Sequence, residues 1–241
     1  MRLPIPYNVR GKTFEHQTIH YEEMKSEDTP NGRFYTLPDG STRFHSMTTM
    51  LGLTSDKTWL EQWRARLGAE AAEAETKRCA DRGEGVHLSC ELYVKNQPME
   101  EVLAASGDYV RLFIQLKPWM DKRIGVVLAV EIPLYSKKLR LAGRVDLVCF
   151  WLHKGEWKLA IVDFKTSNWM KTKGGIVDYQ VQLCGYATML YEMTGLRAEL
   201  LVNIIATESL PNANVITFDI QESLPHLKQR MSMFRELLAS V

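Results

Sequence analysis

The stretch AIVDFKTS, residues 160–167, closes an apolar run with an acid, an aromatic residue and a base. Side chains alternate along a strand, so Asp163 and Lys165 share one face while Phe164 takes the other. Two further acids interrupt apolar runs upstream, Asp146 in AGRVDLV and Glu131 in LAVEIPL. If the three runs lie side by side, three carboxylates and one ammonium meet inside a sheet. Ionised carboxylates in such a place need counter-charges. One lysine cannot neutralise three acids, and a divalent cation would fill the deficit. The chemistry open to such a set is metal-assisted, a cation and a lysine acting together on an anionic reacting group.

Each member also has a plainer reading. Asp163 and Lys165 alone make a structural ion pair, Asp146 can pair with Arg144 two residues away, and Pro133 can mark an edge strand on which Glu131 meets water. His87, at the start of VHLSCELYV, can be a half-buried helix-start histidine, with Glu91 four residues on as its partner. Gln182 and Tyr186 share one helical face, where a solvated amide and an amphipathic core tyrosine would be ordinary. The set says more than any member.

The elements that must position these residues follow from periodicity. VVLAVEIPLY, LRLAGRVDLVCFW and WKLAIVDFK are β-rich and joined by short polar turns, which predicts an antiparallel meander covered on both faces. IVDYQVQLCGYATMLYEMTG then predicts a helix stopped at Gly195, followed by two strands, RAELLVNIIAT and NVITFDI, and a closing amphipathic helix, PHLKQRMSMFRELLA. Before the meander, RFYTLPDGSTRFHS predicts a hairpin at Pro-Asp-Gly. One helix is expected over 57–80, with Leu60, Trp63 and Leu67 at helical spacing, Trp59 one turn before Trp63, and Thr54, Ser55 or Asp56 as its cap. Gly83 and Gly85 are expected to break it before a second helix at VHLSCELYV, and GDYVRLFIQLKPWMDKRIG reads as a third, bent at Pro118. The fold class is α/β with a mixed central sheet flanked by helices, in one domain spanning 1–241: a hairpin and helical part to 125, a catalytic sheet and crossover helix over 126–220, and a C-terminal helix.

Composition narrows the class. The 241 residues carry a formal charge of only +1, so an anionic partner would be held by local patches, which excludes a tail-driven nucleic-acid binder. The four cysteines show neither CxxC nor zinc spacing and read as reduced core thiols of a cytoplasmic protein. The opening MRLPIPYNVRGK has no signal-peptide core, and no run is long enough to span a bilayer.

His87, Gly143-Arg144-Val145-Asp146, Asp163-Phe164-Lys165 and Gln182-Leu-Cys-Gly-Tyr186 stand in an order that resembles the PD-(D/E)XK nuclease superfamily, and within it the RecB-like branch. GRFYTLPDGSTRFHSMTTMLG is similar to the lead-in of phage exonucleases and of the mitochondrial genome maintenance exonuclease family, so the resemblance covers roughly residues 32 to 190. It implies a restriction-endonuclease-like core and a metal-dependent DNA exonuclease of phage or bacterial replication, recombination or repair, acting on single-stranded ends, with a single-strand-binding or annealing protein as partner. It further implies a Mg²⁺ or Mn²⁺ site of His87, Asp146 and Asp163 with the main-chain carbonyl of Phe164, a second ion near Glu131, Lys165 on the reacting phosphoryl group, and Gln182 positioning the water or the lysine. The cysteine spacing of iron–sulfur relatives is missing, as is any GxxxxGK[ST] motor motif, so neither that cluster nor a fused ATPase is expected.

For the substrate, Trp169, Lys171 and Lys173 in TSNWMKTKGG could stack bases and hold phosphates, or form a solvated loop. Ser46, Thr48 and Thr49 could bind a phosphate at a helix start or serve as capping hydroxyls. Tyr186 and Arg144 complete the expected nucleic-acid contacts, while Arg64, Arg66, Arg78 and Arg82 are expected on a solvated helix face. Two rivals remain: a structure-specific endonuclease, and an inactive module that binds DNA ends.

Overall fold

Alternating and helical apolar patterns divide the chain into eight strands and seven α-helices among the residues described, 11–240 of a computed structural model. The reading of MRLPIPYNVR as no signal or transit sequence lies outside the described residues. The strands β1 (Lys25–Thr29), β2 (Gly32–Thr36) and β3 (Arg43–Ser46) form an antiparallel ribbon, with Phe34 opposite His45 across the expected Pro-Asp-Gly turn. After α1 (Met47–Thr54) come α2 (Thr58–Leu67) and α3 (Ala69–Val94).

Two expectations change in this helical part. The helix predicted over 57–80 is cut at Gly68, whose φ of +85° ends α2. The glycines at 83 and 85, by contrast, do not break α3, which runs 26 residues through both. Packing explains Gly85: a Cβ there would lie 3.1 Å from the carbonyl oxygen of Ala105, at the end of α4 (Met99–Ala105), so glycine lets the two helices close. That contact offsets the ~1 kcal/mol that a mid-helix glycine costs. Nor does the Leu60, Trp63, Leu67 spacing mark a core face. No residue of α2 is buried, and Trp59 is 66% exposed. Of the candidate caps, Asp56 accepts from the Thr58 amide at 2.8 Å.

Beyond α5 (Val110–Arg123), which contains Pro118, the meander forms as expected: β4 (Ile124–Ser136), β5 (Leu141–His153) and β6 (Glu156–Ser167), each antiparallel to the next. The crossover helix α6 (Val177–Thr194) stops at Gly195 and returns the chain as β7 (Leu200–Thr207), parallel to β6. β8 (Asn214–Phe218) pairs antiparallel with β7, and α7 (Ile220–Ala239) starts at the Asp219 cap, ahead of the expected Pro225. The mixed sheet has the order β1-β2-β3-β5-β6-β7-β8, with β4 on the other edge of β5.

Two apolar layers cover the sheet, as its continuous apolar runs predict. Met47, Val145, Ile161, Leu183, Met189 and Leu201 pack under α1, α6 and α7. Val86, Phe113, Leu116, Leu147, Val162, Phe164 and Val202 pack under α3 and α5. Cys90, Cys149 and Cys184 are buried free thiols, whereas Cys79 is only half-buried, a departure from the expected core position. No helix among the described residues is long and apolar enough to cross a membrane.

At one level of the sheet two strands change face. Val130 packs with the α3 layer and Ile132 with the α6 layer, although residues two apart on a strand normally share a face. Between them Glu131 holds a φ of +53°. On β5, Val145 and Leu147 divide the same way around Asp146. Pairing of β5 with β6 reaches no further than Leu147–Val162, so the strands part there, and Asp146 fills the gap by accepting from the Phe164 amide at 2.8 Å.

Candidate active site

The parting of β5 from β6 opens the sheet toward α3, whose His87 turns in. Its Nδ1 lies 3.2 Å from Asp146 Oδ2, the oxygen that also accepts from the Phe164 amide. Glu131 completes the group: ligand atoms of His87, Glu131 and Asp146 all lie within 4.8 Å of one another. Burial, then the charges of Asp146 and Glu91, push the Glu131 carboxyl up to about 8. Two crowded carboxylates without a matching cation are the deficit that a divalent ion would relieve, and an imidazole with carboxylates suits Mg²⁺ or Mn²⁺. The plainer pairings of Asp146 with Arg144 and of His87 with Glu91 do not form. Arg144 donates to Glu23 at 2.8 Å and to the Glu131 carbonyl rather than to Asp146, and Glu91 pairs with Lys95 at 2.6 Å rather than with His87. A positive φ on a non-glycine residue costs on the order of 1–3 kcal/mol, so the backbone at Glu131 is held in place by its surroundings, the Arg144 bond among them.

Asp163 and Lys165 stand beside this group and neutralise each other. Lys165 donates to Asp163 Oδ1 at 2.5 Å, and Asn203 Nδ2 donates to Oδ2 at 2.8 Å. Asp163 is therefore not one of the three residues whose ligand atoms converge. Burial pushes its carboxyl up to about 6, against the pull of Lys165 and with help from Asp146. Burial opposes the Lys165 ammonium as well, yet Asp163 and Asp146 more than offset this and hold its pKa above the ordinary lysine value. Asn203 escaped the sequence reading, although LLVNIIAT carries the signal used for the acids, a polar residue inside an apolar strand. It is fully buried, directly across from Asp163 in the parallel register.

Gln182 and Tyr186 of α6 complete the floor. The Gln182 amide donates to the Tyr186 hydroxyl at 3.2 Å, and a Cβ at Gly143 would lie 2.7 Å from Tyr186 Cε1. The glycine of GRVD is thus a close-approach residue, which lets β5 rest on the tyrosine ring. At 3% exposure Tyr186 offers no face to a base, and its contacts run to the site from below.

Residues 108–234 match the family model of the PD-(D/E)XK nuclease superfamily, more than half of the chain, and this span holds Glu131, Asp146, Asp163, Lys165 and Gln182. The chain belongs to that superfamily. Its mixed sheet with flanking helices is the restriction-endonuclease-like α/β fold, and PD-(D/E)XK nucleases are hydrolases that use divalent metals. Among solved structures 22 chains match this one. One of them, described as the crystal structure of SSO0001, is 17% identical over 63% of this chain and 72% of its own, with a TM-score of 0.29. No curated protein matches the chain.

Around the site of this PD-(D/E)XK nuclease the remaining expected contacts differ in accessibility. Trp169 is 72% exposed on the turn after β6, with Lys171 beside it, and Lys173 pairs with Glu222 at 2.9 Å. The hydroxyls of Ser46, Thr48 and Thr49 are engaged with one another, Ser46 accepting from the Thr49 amide at 2.9 Å as the cap of α1. Of the arginines read as solvated, Arg82 is buried, and Arg78, though partly exposed, is paired. Arg82 is 3% exposed and reaches Asn168 at 2.6 Å and Glu208 at 3.0 Å, while Arg78 joins Glu75 and Glu208. With Asn168 donating to Glu75 at 2.9 Å, these residues clasp the turn that carries Trp169 to α3. The neighbouring glutamates of α3 suggested a solvated face because the other partners, Asn168 and Glu208, lie far off in sequence. Arg64 and Arg66 are exposed, as expected.

Proposed function

We propose that this protein is a metal-dependent deoxyribonuclease of the RecB-like branch that shortens DNA from its ends, single-stranded ends above all, in phage or bacterial replication, recombination or repair, with the whole chain as one nuclease domain. The observation that carries the reading is the convergence of His87, Glu131 and Asp146 within 4.8 Å, next to the Asp163–Lys165 pair. A Mg²⁺ or Mn²⁺ ion held by these three, with Asp163 and the Phe164 carbonyl as further ligands, would supply the Lewis acid that polarises the scissile phosphate. Lys165 stays protonated because Asp163 and Asp146 flank it, so its part is electrostatic: it attracts the phosphoryl oxygens and stabilises the charge that grows on them. Asp163, itself held by Asn203, fixes the direction of that ammonium, and Gln182, whose amide donates to Tyr186, is assigned to positioning the attacking water or the lysine from α6. Trp169 offers a stacking face to a single strand and Lys171 a phosphate contact. Arg144, Lys173 and the Ser46, Thr48, Thr49 hydroxyls are assigned to the phosphate backbone further along the strand. A single-strand-binding or annealing protein is the partner that would present such ends.

The test is digestion, with Mg²⁺ and with Mn²⁺, of linear single strands labelled at either end, of duplexes, and of closed single-stranded circles. Progressive shortening of the linear strands with circles intact is the expected result. Rapid cutting of circles would replace the exonuclease with a structure-specific endonuclease, and absence of cleavage with both metals would leave a DNA-end-binding module.

A further inference from the structure

A second candidate site lies away from the catalytic cluster, where the β2–β3 ribbon, the β4–β5 turn and α7 enclose a cavity of about 540 Å³. Its floor is aromatic. The His45 ring lies 4.4 Å from Phe34 and 5.3 Å, edge-on, from Phe234. Its rim is cationic, with Arg43, Arg140 and Arg235 contributed by three separate segments. Arg43 stacks on Phe34 at 3.9 Å and bonds to Glu27 at 2.8 Å. Among the described residues no carboxylate lies within ion-pair distance of Arg140 or Arg235, so one acid faces three guanidiniums. The wall also holds an unmet need: His45 Nδ1 is buried and has no hydrogen-bond partner among the described residues. Burial and the charges of Arg43 and Arg140 hold the His45 imidazole below its ordinary pKa, which leaves the ring neutral and able to accept as well as donate.

These features specify a ligand. Unpaired guanidiniums favour phosphate, which they can grip with two parallel hydrogen bonds. The rings stand at 43° and 88° to one another rather than as a flat platform, but with Leu139, Met231 and Leu238 they make an apolar wall that favours the heterocycle of a base beneath the cationic rim. The cavity volume is that of an ordinary small-ligand site. We propose that this pocket binds a nucleoside monophosphate unit, its base against the wall of Phe34, His45, Leu139 and Leu238 and its phosphate between Arg140 and Arg235. The unit is either a free nucleotide or one residue of a strand. The pocket is separate from the cleavage centre: His45 is in register with Leu141 of β5, and Asp146 lies five residues further along, about 16 Å at 3.3 Å per residue. It shares no residue with the metal cluster and needs no metal.

The test is titration of the full chain in EDTA with dAMP, deoxyadenosine and inorganic phosphate, followed by NMR shifts of the histidine ring protons and the backbone amides. With dAMP the shifts should fall on His45 and on α7 around Phe234, and deoxyadenosine or phosphate alone should bind at least about tenfold more weakly. Arg140→Ala with Arg235→Ala should weaken dAMP about tenfold or more, with circular dichroism and melting temperature unchanged. A 5′-phosphorylated oligonucleotide that displaces dAMP from His45 assigns the pocket to a strand, and one that leaves dAMP in place assigns it to free nucleotide. The proposal is overturned if dAMP shifts only residues near Asp146 and Asp163, if phosphate alone matches dAMP, or if the double variant binds dAMP as the parent does. Because binding is read without metal, these outcomes are independent of whether the protein cleaves DNA.

Discussion

Replacing Glu131 with glutamine should make the metal-free protein more stable above neutral pH. The Glu131 carboxyl is pushed from 4.5 up to about 8 by burial and by Asp146 and Glu91, so between these pH values the folded chain holds a proton that the unfolded chain has released. Folding stability therefore falls as pH rises through that window, and the loss is complete above about pH 8. At about 1.4 kcal/mol per tenfold, the full rise sets a ceiling of about 5 kcal/mol. Water reaching a half-buried side chain lowers the working figure to about 2–3 kcal/mol. Glutamine keeps the shape and the backbone strain at this position but carries no charge. Urea denaturation in EDTA between about pH 5 and pH 9 reads the effect. The parent should lose stability across the range, and the two proteins should differ little at the acid end and by about 2–3 kcal/mol at the alkaline end. Asp163, pushed from 3.8 to about 6 by burial, contributes with the same sign over a lower window and does so in both proteins. Saturating Mn²⁺ should narrow or close the gap, because an ion at 100 times its Kd stabilises the parent by about 2.7 kcal/mol and the variant by less. A parent whose stability is flat from about pH 6.5 to pH 9, or a variant that is weaker than the parent at the alkaline end in EDTA, would refute the reasoning.

Three other expectations follow from the same geometry. Asp163→Ala and Lys165→Ala should each lower the cleavage rate by about 10³ or more while single-strand binding in EDTA persists, and a wild-type rate in either would remove the pair from the chemistry. Gly143→Ala forces a Cβ against the Tyr186 ring and should cost about 1–3 kcal/mol in denaturant midpoint, much of it recovered in Gly143→Ala/Tyr186→Leu; an additive double variant would refute the contact. Trp169→Ala should weaken single-strand binding by about 1–3 kcal/mol and leave stability within about 0.5 kcal/mol, since the ring stands in solvent; unchanged fluorescence anisotropy titrations would dismiss it as a stacking platform.

Most of the sheet was legible because its strands carry strong local signals. The three apolar runs, their short turns and the Gly195 stop are where the sequence put them. The helical part was harder, because contacts distant in sequence decide it. Gly85 sits within a helix since Ala105 closes on it, and Arg82 is buried since Asn168 and Glu208 receive it. In the site, Asp163 with Lys165 and Asp146 with His87 were visible as types and spacings. The Asp163–Lys165 pair was among the readings, but the partner of Asp146 was not settled, because Arg144 turned to Glu23 and to the Glu131 carbonyl, two partners that spacing alone does not indicate. Asn203 was missed for want of charge rather than for want of a signal. The positive φ at Glu131 left no trace in sequence, since nothing in LAVEIPL marks a glycine-like backbone.

The change of face at Glu131 and Asp146 has a mechanical consequence. Val130 and Leu147 pack with one apolar layer and Ile132 and Val145 with the other, so the acids between them occupy the seam between two cores that otherwise have separate linings. A cavity cut into either core, at Phe113 on one side or Met189 on the other, would slacken a different wall of the same seam. Cleavage rate should therefore act as a common gauge of both layers and decline under damage to either one before the sheet itself comes apart.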